Sequence, residues 1–279
     1  MQIRKRTAAA VAALGTTALA AGALVVAVPA GAATPKTPIV IAHISNSAIR
    51  LSHHIHAGRV EIKVRTGKGD HALQVAKLHK GYSLAQASQD LNKAFGGDTA
   101  AVKRIDAHIT FRGGAEARPH KQGVMVVNLK ADRYLFLDQN SNAHRFVNVT
   151  GNKRASTPPA HHGSITAFTY GFDTAGTVPA KGWTRIVNQA DQPHFVVFQH
   201  VKQSTTRAQV KKFFGSGAQG NPKFGLRANT SSGVITPGTS QLLHLHLPAG
   251  KYLIACFWPD SMTGMPHAFM GMWKLIELK

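Results

Sequence analysis

The sequence predicts an all-β protein made of two tandem β-sandwiches, each carrying a short helical insertion, and three observations predict it. Short apolar runs of period two alternate with Gly- and Pro-bearing turns, and long helical periods are few. Subtracting an N-terminal targeting segment of 33 residues from 279 leaves 246, room for two domains of about 120 residues each. The third observation is an internal echo. Residues 119–138 (PHKQGVMVVNLKADRYLFLD) align without a gap on residues 237–256 (PGTSQLLHLHLPAGKYLIAC), with five of twenty positions identical. The identities pair Pro119 with Pro237, Leu129 with Leu247, Ala131 with Ala249, Tyr134 with Tyr252 and Leu135 with Leu253.

Taken in order, the chain opens with Arg4, Lys5 and Arg6, an Ala-rich apolar stretch from Thr7 to about Pro29, and Ala30-Gly31-Ala32 as a small-residue cleavage site. This pattern predicts a secretory signal over residues 1–33 and a secreted mature chain. With no Cys beside the cleavage site, a lipid anchor there is excluded. Residues 34–38 read as a flexible leader to a first sandwich over 34–150. In it, apolar alternation at 60–64 and around His71, Leu73 and Val75 predicts strands. Ser83 can cap a helix that buries Leu84, Ala87, Leu91 and Phe95 and stops at Gly96-Gly97. Residues 151–163, polar and aperiodic with Pro158-Pro159, predict a linker. The second sandwich, over 164–279, repeats the order. Strand 183–187 is followed by His194, Val196 and Phe198, and then by a helix from about Ser204 to Phe214 that buries Val210 with Phe213 or Phe214.

Chemistry-bearing residues concentrate in residues 247–278. Cys256, the only cysteine, ends a strand; His267 follows after ten residues, Met272 after four more, and an apolar strand closes the segment. A lone Cys in a secreted chain has no internal disulfide partner, so it is a buried thiol, a free or intermolecularly paired thiol, or a metal ligand. Thiolate, imidazole and thioether together form a soft donor set that suits copper rather than calcium or magnesium. Upstream, His194 opens an apolar strand after the turn NQADQP.

These segments resemble the plastocyanin/azurin family of blue copper proteins, the cupredoxins. There a first His follows an Asn-bearing turn, and Cys, His and Met come from the last loop. The resemblance implies two Greek-key cupredoxin-like sandwiches, with copper held by His194, Cys256 and His267 and an axial Met272. One-electron transfer to a redox partner protein is the implied activity. Tyr-x3-Cys (Tyr252, Cys256) and His-x4-Met fit the family, whereas ten residues between Cys and His exceed the few found in typical members. Four of the six methionines (Met262, Met265, Met270, Met272) crowd this loop, which adds Cu(I) capture to the implied chemistry.

In the first half Asp138 stands where the second has Cys256, and the loop after it offers His144 but no Met. That half reads as degenerate, with His71, Asp138 and His144 as an alternative two-His, one-carboxylate set. His53, His54 and His56, His161 and His162, and His244 and His246 read as surface histidines. Gly-x-Ser-x-Gly, His-Glu-x-x-His and phosphate-loop patterns are all missing from the sequence, and Ala255 and Phe257 flank Cys256 where a multicopper oxidase needs histidines, so no enzyme is predicted. The charge is strongly basic, +21 overall from 33 Lys+Arg against 12 Asp+Glu, or +18 without the three signal cations. Such a field favours anionic wall polymers or membrane surfaces. Nucleic acid is not expected, since no basic groove motif accompanies the charge. A metal-free binding or adhesion module held at an anionic cell envelope is the alternative function.

Overall fold

The structure is a computed structural model that describes residues 35–218, 220 and 222–279. The expected signal over residues 1–33 lies outside the described residues.

The first half contains β1 (Ile39–Ser45), β2 (Ala48–Leu51), β3 (His56–Thr66), β4 (His71–Leu78), α1 (Leu84–Phe95), α2 (Thr99–His108), β5 (Ile109–Ala117), β6 (Gly123–Leu129), β7 (Asp132–Asp138) and β8 (His144–Arg154). Its strands pair in the orders β2-β1-β3-β6 and β5-β4-β7-β8. The second half contains β9 (Gly163–Phe168), β10 (Gly171–Gly176), β11 (Lys181–Asn188), β12 (Val197–Val201), α3 (Arg207–Gly215), β13 (Gly225–Ser231), β14 (Ser240–His246), β15 (Gly250–Ala255) and β16 (Trp273–Leu278). Its orders are β10-β9-β11-β14 and β13-β12-β15-β16, the same arrangement eight strands on. In each half the first and third strands run parallel (β1 with β3, β9 with β11) and the other ladders inside each layer are antiparallel. The fold is therefore all-β, two β-sandwiches with helices inserted after β4 and β12.

The two sandwiches share an edge. β14 pairs with β6 at Leu242↔Val126 and Leu243↔Met125, and the described residues form one compact unit. Tyr134 and Tyr252 repeat one tether. The Tyr134 hydroxyl accepts from Lys130 N at 3.2 Å, and the Tyr252 hydroxyl donates to Pro248 O at 2.9 Å, each four residues back.

Side-chain alternation on β15 decides what Cys256 faces. Tyr252, Ile254 and Cys256 point into the main core, while Leu253 and Ala255 join Val201, Val210 and Phe214 under α3. Thr206 caps α3 in a capping box with Gln209, two residues after the expected start, and Val210 and Phe214 are its buried residues.

Three expectations are corrected. The face of α1 is rotated: Ala87, Asp90 and Ala94 are buried, Leu84 and Leu91 are half-buried, and Phe95 is 59% exposed. The cause is α2, a second helix in the first half that the sequence reading missed. Asp90 receives the Arg104 guanidinium from α2 at 2.6 Å and the Tyr82 hydroxyl at 2.7 Å, so a carboxylate rather than Phe95 takes the inner face. The expected linker begins inside β8, which runs through Arg154 because its end pairs with β3. The leader is also tied down. Thr157 N donates to Pro35 O, and Thr37 Oγ1 to Thr157 O, both at 2.9 Å, so the backbone groups of two aperiodic stretches satisfy each other.

Candidate metal centre

Each site residue is held by a backbone frame with its own local cause. Asn188, buried at the end of β11, donates from Nδ2 to Gln192 O at 2.8 Å and Ile235 O at 2.9 Å, and accepts Ala190 N at 2.9 Å. This fixes the turn 189–193 and delivers His194 to Ile235, with which it exchanges both backbone hydrogen bonds. Cys256 lies one residue past β15. Its N–H donates to Met272 O at 3.2 Å and its carbonyl accepts Ala268 N at 2.7 Å. His267 opens a 3₁₀ turn, His267–Met270, with its N–H on Trp258 O at 2.9 Å, and Met272 N donates to His267 O at 3.0 Å. Residues 256 to 272 thus close on themselves.

Three donor atoms converge inside this frame. His194 Nδ1 and His267 Nδ1 are 3.1 Å apart, and Cys256 Sγ lies 3.5 Å from the first and 3.8 Å from the second. A first-row metal about 2.0–2.1 Å from each nitrogen and about 2.3 Å from sulfur puts the nitrogens about 3.3–3.6 Å apart and each nitrogen about 3.5–3.8 Å from sulfur, between tetrahedral and trigonal angles. The two edges to sulfur have that size, and the edge between the nitrogens is slightly shorter. Cys256, His267 and Met272 are fully buried, and His194 is 1% exposed. Met272 is tied to Cys256 and His267 by backbone hydrogen bonds, and its side chain belongs to the same core cluster as Cys256.

Burial leaves the protein groups uncharged. It pushes the Cys256 thiol up to about 12. Burial, with the neighbouring His267, brings His194 down to about 3. Burial lowers His267 to about 4, opposed by Asp260 and Asp191. Two neutral imidazoles and a thiol can take a cation on Nδ1 and Sγ once the thiol proton leaves and each ring carries its proton on Nε2. The donor set, one cysteine sulfur and two imidazoles, fits copper.

Asp260, Gln192 and Tyr170 surround the site, and the sequence reading missed all three. Asp260 Oδ1 accepts Thr263 N at 2.7 Å, Thr263 Oγ1 at 2.8 Å and Met262 N at 3.1 Å. Its Oδ2 accepts the Tyr170 hydroxyl at 2.7 Å and Gln192 Nε2 at 3.0 Å, and lies 3.9 Å from His267 Nε2. Burial opposes ionisation of Asp260, but these hydrogen bonds hold the carboxyl below its ordinary range. Tyr170 sits at φ 58° between β9 and β10, and its ring meets the His267 ring edge-on at 5.5 Å. The Asp-Ser-x-Thr run at 260–263 was the legible signal, since Asp and Thr there favour a side-chain-closed turn.

The alternative set in the first half is not assembled. His71 Nδ1 meets Asp138 Oδ2 at 2.7 Å and His71 Nε2 meets Lys68 O at 3.1 Å, so protein oxygens occupy both ring nitrogens. His144 is exposed and turns to Asn142 O at 3.0 Å. His54 bonds Thr150 Oγ1 at 2.7 Å, and His244 packs edge-on to Trp183. Among the described residues, His194, Cys256 and His267 are the one group of three His, Cys, Asp or Glu with donor atoms mutually within 4.8 Å.

Neither a protein-family model nor a curated relative matches the sequence. Among solved structures, reduced auracyanin from Roseiflexus castenholzii is 20% identical over 42% of this chain and 94% of its own, at a TM-score of 0.26. Auracyanin A, a blue copper protein of Chloroflexus aurantiacus, is 13% identical over 40% of this chain and 98% of its own, at 0.29. Copper nitrite reductase from Nitrosomonas europaea is 12% identical over 88% and 94%, at 0.23. The chemistry assigned to the centre rests on its own geometry.

Proposed function

We propose that this chain is a secreted, cupredoxin-like copper protein that carries single electrons, with His194, Cys256 and His267 as the residues that would hold the copper and Met272 as a further sulfur donor. The observation that carries the reading is the buried Nδ1–Nδ1–Sγ triangle of 3.1, 3.5 and 3.8 Å. Copper bound there would supply a one-electron Cu(I)/Cu(II) couple. The chain's part is to hold the donors so that both oxidation states meet one frame. The closed hydrogen bonds from Cys256 to Met272 and from His267 to Trp258 do this, and burial keeps water off the ion. Asp260 Oδ2 lies 3.9 Å from His267 Nε2, beyond hydrogen-bond reach, so its part is the negative charge it holds beside the imidazole.

Residues 34–150 and 164–279 are read as a duplicated sandwich, the first having exchanged its metal position for the His71–Asp138 pair. With Ala255 and Phe257 flanking Cys256, the reading is of a carrier rather than an oxidase. The +18 charge of the mature chain suits retention at an anionic wall polymer or membrane surface and docking to an acidic redox partner.

A redox titration of the copper-loaded protein tests the proposal. Reversible one-electron bleaching and return of the visible band through repeated cycles is expected. Loss of copper from the protein on the first reduction would refute a carrier role.

A further inference from the structure

The candidate ligand side chains are closed to solvent, and the loop 257–266, continued by the 3₁₀ turn, joins two of them, Cys256 and His267. Met262 is 73% exposed and Met265 48% exposed on this loop, while Met270 is half-buried on the turn that begins with His267. Met270 Sδ lies 3.7 Å from Thr263 Oγ1, whose proton goes to the Asp260 carboxylate and whose oxygen accepts Met265 N at 3.3 Å. The Met270 sulfur therefore sits on the residue between Met262 and Met265. The loop is built rather than loose. Asp260 N donates to Met265 O at 2.9 Å, Gly264 N to Asp260 O at 2.8 Å, and the Asp260 carboxylate takes the Met262 and Thr263 N–H groups.

Gap filling does not account for Met262 and Met265. A methionine that fills a core gap is buried, as Met125 is at 0% exposure, whereas Met262 and Met265 leave apolar surface in water. Thioethers select Cu(I) among biological cations and carry no proton to displace, so they bind it without the deprotonation that the inner thiol requires.

We propose that Met262, Met265 and Met270 form a surface Cu(I) entry site that hands the ion inward to Cys256, His194 and His267. The inference rests on the copper reading above. In the transfer, copper–thioether bonds break and bonds to two imidazole nitrogens and the Cys256 sulfur form. The thiol proton passes to water, and copper stays Cu(I) with no electron moved. Capture makes the second step intramolecular, which raises the effective concentration of copper at the inner site.

The test uses the full mature chain and Cu(I) delivered as a coloured chelator complex, whose loss of absorbance reports uptake. Leu replaces Met at all three positions, preserving apolar volume. The triple variant is expected to reach the wild-type capacity of the inner centre but to load Cu(I) about tenfold or more slowly. Its loading with Cu(II), which thioethers do not favour, should match wild type. Conversely, a Cys256→Ser chain should retain a weaker Cu(I) site that the triple substitution abolishes. Equal Cu(I) loading rates in wild type and triple variant would overturn the entry site, as would equal slowing with both oxidation states. Failure of the parent reading looks different: Cys256→Ser would then leave the tight capacity unchanged, while the methionine-dependent site is still read in that variant.

Discussion

Replacing Gly264 by Ala isolates one contact, the approach of the ligand loop to the end of α1. Gly264 has φ +72°, and a Cβ there would stand 2.2 Å from Gly97 O, 2.8 Å from Gly97 C and 3.0 Å from Gly97 Cα. All three are backbone atoms, at the glycine pair that ends α1, so no flexible side-chain tip can yield. Left-handed backbone costs an L-residue about 1–2 kcal/mol, and overpacking adds about 1–3 kcal/mol. Gly264→Ala should therefore destabilise by about 2–5 kcal/mol. Gly238 is the control, with φ +71° and nothing within 4 Å of an added Cβ. Gly238→Ala should cost only the backbone share, about 1–2 kcal/mol. Urea unfolding of both variants, with one m value, reads the difference of about 1–3 kcal/mol; in a scan it is worth about 2–4 °C per kcal/mol in a chain of this size. Equal costs within about 0.5 kcal/mol would refute the argument that the first sandwich buttresses the copper loop.

Asp138→Ala removes the acceptor of His71, Ser141 and the Ala72 N–H at once, and should cost about 3–5 kcal/mol; a loss under about 1 kcal/mol by urea unfolding would mean that water replaces the carboxylate. Asp106 is raised to about 7 by burial and by Asp191 and Asp260, so the folded chain binds more protons than the unfolded one between its ordinary value and about 7. Stability contributed by this group therefore falls as pH rises through that window. Asp106→Asn should stabilise the protein by about 1–2 kcal/mol at pH 8, discounted for partial solvent access, and by about nothing near pH 4. Equal effects of that substitution at both pH values, measured by thermal unfolding, would contradict the assignment.

The sequence disclosed what depends on local pattern. Alternation placed β4, β6, β7, β14 and β15, and Ser83 and Gly96-Gly97 bracketed α1, because capping and period are carried by neighbouring residues. The alignment of Tyr134 with Tyr252 pointed to strands that hold equivalent places in the two sandwiches. The rotation of α1 stayed hidden, because Asp90 is buried through Arg104 on a different helix. α2 itself carries local signals, an Asp98 cap and Ala101, Val102 and Ile105 on one face, although no element was expected there. At the site, the candidate ligand residues stand out in the sequence by type and spacing. Asp260, Gln192 and Tyr170 come from three separate segments and meet only through long-range packing, so only the turn at 260–263 was visible in advance.

The most direct test of the copper centre is a Cu(II) titration of the mature protein, followed in the visible spectrum beside Cys256→Ser. One equivalent should produce an intense thiolate-to-copper band in the wild-type protein and none in Cys256→Ser. No stoichiometric uptake, or the same spectrum from both proteins, would contradict a centre built on Cys256 and its two histidines.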